Sequence, residues 1–264
     1  MRLLPACLVV LLSVACADDP VHEGAGPVDP DEETGALPSA IAEFRLPAPA
    51  SGVSRGDHSL WFLVPQVGLV ETTLEGQERG RIPWQTNGLV DYGFTDLAVL
   101  EGGTFALTGN QEVWHYRPDV GALESWFCFI PVEEMDVQEN QAITYDPRTA
   151  LLRVAPARWN ASGSELALSW VRLETYRAAD ASFYSTLDVT PTGVISHGLA
   201  WDLEAHATWS VTGNSLHRFS DTGLLEATLP LEGVTDAQGI VVDGTNLAIL
   251  DATGDVRLIP RPTL

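Results

Sequence analysis

Four polar residues stand immediately before short apolar runs that resemble one another. They are Asp96 before Leu97-Ala98-Val99-Leu100, Gln141 before Ala142-Ile143-Thr144-Tyr145, His197 before Gly198-Leu199-Ala200-Trp201, and Gln238 before Gly239-Ile240-Val241-Val242. Asp236, Asn140 and Glu139 lie close to them in sequence. Two carboxylates, an imidazole and amides gathered in one concave place could bind Ca²⁺ weakly or hold a small polar ligand. The same groups could instead hydrogen-bond one another and order water.

The remaining chemistry-bearing residues form no recognisable set. Ser13, Ser162 and Ser164 sit in no nucleophile-elbow sequence, and no Ser/His/Asp arrangement is evident. No phosphate-cradling loop, zinc-spaced Cys/His cluster or dinucleotide fingerprint occurs. His115 and His217 take matching places in two repeats, as do His58 and His206, so they read as repeat features. The acidic run Val132 to Glu139 reads as a solvated connection, with a cation site as the alternative. Cys128 lies in the strand-like run Ser125 to Ile130 and reads as a small buried apolar residue.

The elements that must position these groups are short strands. From Ile41 onward, apolar and polar residues alternate over runs of four to six, separated by Gly, Asp, Asn and Pro. The stretch His197 to Leu231 is the clearest unit: four strands, with Gly213-Asn214 and Asp221-Thr222-Gly223 as tight turns. Five innermost strands are laid over one another by an acid at the following turn, Asp57, Glu101, Asp146, Asp202 and Asp243, spaced 44, 45, 56 and 41 residues apart; the last four align cleanly, and the first matches poorly and rests on the strands that follow it. A period in the low forties is what four strands and three turns require. The long interval is assigned to extended hairpins at 158–164 and 176–182, with Leu166 to Trp170 as the third strand of that unit.

The last unit lacks an outer strand, and the chain has a spare one at Ala42 to Pro47. Lending the first strand to the last sheet removes two exposed edges at once. The expected fold is therefore all-β: a β-propeller over 41–264, with five blades (six if one is hidden in 147–195), closed by the N-terminal strand.

Charge limits the partners. The 264 residues carry 36 acidic and 14 basic side chains, net −22, and every basic residue is Arg. Such a surface repels nucleic acid and does not suit a polybasic contact with anionic lipid.

The first sixteen residues carry a resemblance of their own. Met1-Arg2 is a short positive segment, Leu3 to Ala15 is apolar, and Ser13-Val14-Ala15-Cys16 resembles the bacterial lipobox. In that family the Cys is acylated and becomes the first residue. The resemblance implies a signal peptide over 1–15, a lipidated Cys16, and membrane attachment in a bacterial envelope, periplasmic or at the outer surface. An ordinary secretory signal cut near Ala15 or Ala17 is the alternative. Residues 16–40, rich in Pro, Gly and acid, read as a tether.

The phrases His197-Gly-Leu-Ala-Trp-Asp and Asp236-Ala-Gln-Gly-Ile-Val-Val-Asp resemble NHL-type and SdiA-regulated-type propellers of exported bacterial proteins, and share the general look of regucalcin and gluconolactonase propellers. In the lactonase-type enzymes an acid-rich metal site sits at the axial channel; no such ligand set is placed here by motif. Two functions follow as expectations. One is a non-enzymatic, membrane-tethered propeller, without a cofactor, that binds a protein, peptide or glycan on its loop face. The other is a Ca²⁺-type metal-dependent hydrolase of the lactonase class, with the channel-mouth group Asp96, Gln141, His197, Asp236 and Gln238 as ligands.

Overall fold

The computed structural model describes residues 37–109, 112–128, 136–162 and 165–264; the side chains of residues 128, 136–141, 160–162 and 165–166 fall outside the described set. Residues 1–36, and with them Cys16, also lie outside it.

Five antiparallel four-stranded sheets make a five-bladed propeller. Blade 1 contains β2 (Gly52–Arg55), β3 (Leu60–Val64), β4 (Gly68–Thr72) and β5 (Glu78–Pro83). Blade 2 contains β6 (Asp96–Val99), β7 (Phe105–Gly109), β8 (Glu112–Arg117) and β9 (Ala122–Cys128). Blade 3 contains β10 (Asp136–Asp146), β11 (Leu151–Ser162), β12 (Glu165–Arg177) and β13 (Phe183–Asp188). Blade 4 contains β14 (Gly198–Asp202), β15 (Ala207–Thr212), β16 (Ser215–Ser220) and β17 (Leu225–Pro230). Blade 5 contains β18 (Ala237–Asp243), β19 (Asn246–Asp251) and β20 (Asp255–Pro260), and its outer strand is β1 (Ala42–Arg45), from the other end of the described chain.

The closure is the expected pairing of the first strand with the last sheet. Ala42 pairs with Leu258, Phe44 with Val256 and Arg45 with Asp255. Phe44 also reaches blade 1, where its ring meets Phe62 edge-on at 6.2 Å. One strand thus completes the last sheet and packs on the first.

Strand alternation sends its apolar residues into five layers, one between each pair of neighbouring blades. The layer between blades 1 and 2 holds Leu63, Leu69, Leu97, Phe105 and Leu107; that between blades 4 and 5 holds Trp209, Val211, Leu216, Ile240, Leu247 and Ile249. Each blade is too thin to bury both faces alone, so burial requires the whole ring. Turns match the residues supplied for them: the two-residue hairpin after β15 places Gly213 at φ +57°, a conformation that costs Gly nothing.

Blade 3 departs from the simple repeat. The long β10–β11–β12 hairpins pair far past the blade: Asp136 with Asn160, and Ser162 with Glu165. The strand equivalent to the other third strands is the second half of β12, whose residues 172–176 pair with β13. Leu166 to Trp170 belongs to the projecting arm instead. The 178–182 turn is as short as its counterparts, so the extra length lies in the arm alone.

Candidate functional site

The inner strands β2, β6, β10, β14 and β18 run side by side around the axis. Their starts define an inlet face and their ends an outlet face. At the inlet, three of the five equivalent inner positions are Gly. A Cβ on Gly198 would lie 2.6 Å from the Gly239 Cα, and one on Gly239 would lie 2.8 Å from Val53 Cγ1. The blades approach so closely here that backbone meets backbone.

Asp96 occupies the fourth such position and fills the axis. It is 1% exposed. Its carboxyl accepts the N–H of Leu97 at 2.8 Å and that of Ile143 at 2.9 Å, and the N–H of Val53 also bonds to it. One side chain ties blades 1, 2 and 3 together. Burial pushes its carboxyl well above the ordinary carboxylate range, against the pull of the three N–H donors.

The pairing shows why Asp96 lies deeper than its sequence alignment suggests. Asp96 is equivalent to Gly198, since each opens the ladder to its second strand, Asp96 opposite Thr108 and Gly198 opposite Val211. Thr95, not Asp96, matches His197. In this register the mouth positions are Ser51, Thr95, Gln141, His197 and Gln238. Gln141 stands where the β10–β11 register shifts, and its side chain is outside the described set.

Three of the expected residues do come together. Gln238 donates to the Asp236 carboxylate at 2.9 Å, and His197 Nδ1 lies 3.8 Å from Asp236 Oδ1. Asp236 holds φ +56°. The group is a small polar patch on a closed axis. Among the described residues no three His, Cys, Asp or Glu side chains gather as metal ligands.

The concave site is at the opposite end. All five blades contribute to a cavity of 340 Å³ at the outlet face. Its apolar wall comes from Val99, Leu100, Val241 and Val242, and its aromatic groups are Tyr145 and Trp201. Trp201 is backed by a buried cation. The Arg153 guanidinium lies 3.8 Å from the ring centroid, donates to the Thr208 hydroxyl, and is 5% exposed. Burial pushes its pKa down to about 10.

The charged groups of the cavity divide into two sets. Arg55 pairs with Asp243. Arg261 pairs with the buried Asp202 at 2.7 Å and reaches Glu204 at 3.3 Å. Asp202 is fully engaged, accepting also from Trp209 Nε1 and the Ala205 N–H. Asp146 caps its own turn through the Arg148 N–H and the Thr149 hydroxyl. Asp57, Glu101 and the Arg148 guanidinium line the cavity with no ion-pair partner among the described residues, and Glu101 lies close enough to Tyr145 to add to the rise that burial causes in the tyrosine's pKa.

A signal for this end was present in the sequence. The acids that mark the repeat period all lie at the outlet. In the folded register the positions equivalent to Asp146, Asp202 and Asp243 are Gly56 and Leu100, so Asp57 and Glu101 stand one residue later. The three in-register acids are consumed by turns and Arg pairs, whereas the two displaced ones form no ion pair among the described residues.

A second depression of 530 Å³ adjoins the cavity and shares Gly56, Asp57, Val99, Leu100 and Glu101 with it. It runs between blades 1 and 2 toward His58, Trp61 and Arg79. Among the described residues no helix is long and apolar enough to cross a membrane.

No family model and no curated protein matches the chain. Solved structures do. A chain of a nidogen/laminin complex is similar at 16% identity and TM-score 0.51, covering 78% of this chain and 73% of that one. A chain of a mitotic checkpoint complex gives 11% identity and TM-score 0.47 over 94% and 98%. The extracellular domain assigned to a hybrid two-component system of B. thetaiotaomicron gives 13% and 0.48, over 83% of this chain and 28% of that one. At these identities the first likeness establishes the fold, and the other two add nothing to it.

Proposed function

We propose that this chain is a non-enzymatic binding propeller of the bacterial envelope, similar in repeat to the NHL type, tethered by lipid on Cys16 and presenting its outlet cavity to a ligand. The observation that carries the binding part is the convergence of all five blades on one cavity, with an aromatic wall and charged groups that form no ion pair among the described residues. Pockets of this kind bury a ligand against apolar walls and orient it with a few polar groups. Rigid strands hold these groups in place, while the turns that bear them tolerate variation. The nidogen/laminin chain supports the reading only as a propeller of this shape found in a complex.

The anchor rests on Ser13-Val14-Ala15-Cys16 and the acidic, Pro- and Gly-rich segment that follows. More than one acyl chain gives stable membrane attachment, at about 0.8 kcal/mol per buried methylene.

Two measurements test the reading. In a bacterial host fed labelled palmitate, the wild-type chain should take up label and partition with membranes, and Cys16→Ser should do neither; a labelled Cys16→Ser would overturn the anchor. A photo-crosslinking residue at Leu203, on the outlet face, should give ligand adducts that the same residue at Gln238, on the inlet face, does not. Adducts at Gln238 alone would overturn the choice of face.

A further inference from the structure

The unpaired charges of the outlet cavity are of both signs and are not mixed. The negative ones, Asp57 and Glu101, belong to the turns of blades 1 and 2. The positive one, Arg148, belongs to the turn of blade 3, and its backbone N–H is fixed by the Asp146 carboxylate at 2.9 Å, which sets where its side chain starts. The same side is made more positive by Arg153, stacked behind Trp201 at the boundary of blades 3 and 4 and partly offset by the charge of Asp221. The other two arginines are neutralised by Asp243, Asp202 and Glu204. The cavity is therefore a dipole: an anionic side, a cationic side, and an apolar wall of Val241 and Val242.

We propose that this cavity takes a small zwitterion of the amino-acid or short-peptide class, its carboxylate on Arg148, its ammonium toward Asp57 and Glu101, and its apolar part against Trp201 and the valines. The inference rests on the outlet cavity being the ligand site. A lone cation would leave Arg148 unanswered, and a lone anion would leave the two carboxylates unanswered; only a ligand with both charges meets all three. The volume of 340 Å³ is at the small end for a ligand pocket, which suits one or two residues. The adjoining depression opens from the acidic side, so a side chain near the ammonium has space to occupy. Complementary charge placed this way sets orientation and excludes ligands of the wrong sign.

Titration calorimetry on the full lipidated chain in detergent micelles tests it, with four probes of matched shape. Leucine and glycyl-leucine carry both charges, leucinamide only the positive and 4-methylpentanoate only the negative. Both zwitterions should bind, and removal of either charge should weaken binding about tenfold, as expected for one charge-assisted contact. Arg148→Gln should reduce leucine to the level of leucinamide. The double variant Asp57→Asn, Glu101→Gln should reduce it to the level of 4-methylpentanoate. These side chains form no ion pair among the described residues, so all variants should melt with the wild type, which keeps loss of binding distinct from loss of fold. Leucinamide binding as tightly as leucine, or Arg148→Gln leaving leucine binding unchanged, would overturn the proposal. If no probe binds while the Leu203 crosslinker captures a ligand, the zwitterion is wrong and the cavity stands; if neither gives a signal, both fall.

Discussion

Asp96 and Ile143 lie on neighbouring blades, and the carboxyl of the first accepts the backbone N–H of the second at 2.9 Å. With Leu97 and Val53 also donating, a single side chain closes the inlet end of the axis. Asp96→Ala removes the acceptor of three buried N–H groups and should cost roughly 3 kcal/mol or more. Asp96→Asn keeps the shape but turns an amide toward donors, and should cost about 1–3 kcal/mol. Urea unfolding at pH 5 measures both.

The same carboxyl gives a pH dependence of known sign. Its folded pKa is raised, so between the unfolded value, about 3.9, and the folded one the folded state binds more protons. Stability contributed by Asp96 is therefore full at low pH and falls as pH rises through that window. Wild type minus Asp96→Asn, measured as unfolding free energy from pH 4 upward, should decline with pH.

His217 and His115 act in the opposite sense. Burial lowers the pKa of each; at His115, Arg117 lowers it further while Glu124 opposes. The unfolded chain then holds more protons than the folded one just below the ordinary His pKa of about 6.5. Their contribution is present above that pH and is lost as pH falls through it. The double variant His115→Gln, His217→Gln should show a shallower loss of melting temperature between pH 7.5 and 5 than wild type.

Trp201 over Arg153 is a desolvated cation–π pair at 3.8 Å. Trp201→Leu should cost about 2 kcal/mol, and Arg153→Lys should not match the wild type, because an ammonium cannot stack flat on an indole. A double-mutant cycle in denaturant isolates the pair.

The closing strand gives a structural test. Phe44 is half-buried between blades 5 and 1. Phe44→Ala should destabilise by about 2 kcal/mol. Deleting Ala42 to Arg45 exposes the β20 edge and should produce oligomers on size exclusion. The nearby Arg45–Asp255 pair, at 3.5 Å and solvated, should contribute little, and Arg45→Gln should melt with wild type.

Much of this molecule was legible before any coordinates. Period-two alternation and a repeat near 44 residues gave a count of five blades, with six open until the structure placed the extra length of 147–195 in the arm of blade 3, because a four-stranded sheet has a length that turns cannot hide. The missing outer strand after Ile259 and the spare one at Phe44 fixed the closure, because unpaired edges must find partners. Register to within one residue was not available. A shift of one along β6 exchanges Thr95 for Asp96, and sequence cannot tell a mouth residue from an axis residue when the repeat is degenerate. The same single-residue shift released Asp57 and Glu101 from the roles of Asp146 and Asp202.

Residue types and spacing thus determined the blade and its closure and narrowed the number to five or six, since these follow from local alternation and from edges that cannot stay bare. Only the tertiary structure decided which end of the axis is open. That choice depends on Gly52 meeting Asp96, Gly198 meeting Gly239 and Gly239 meeting Val53 at one end, a matter of contact among blades distant in sequence.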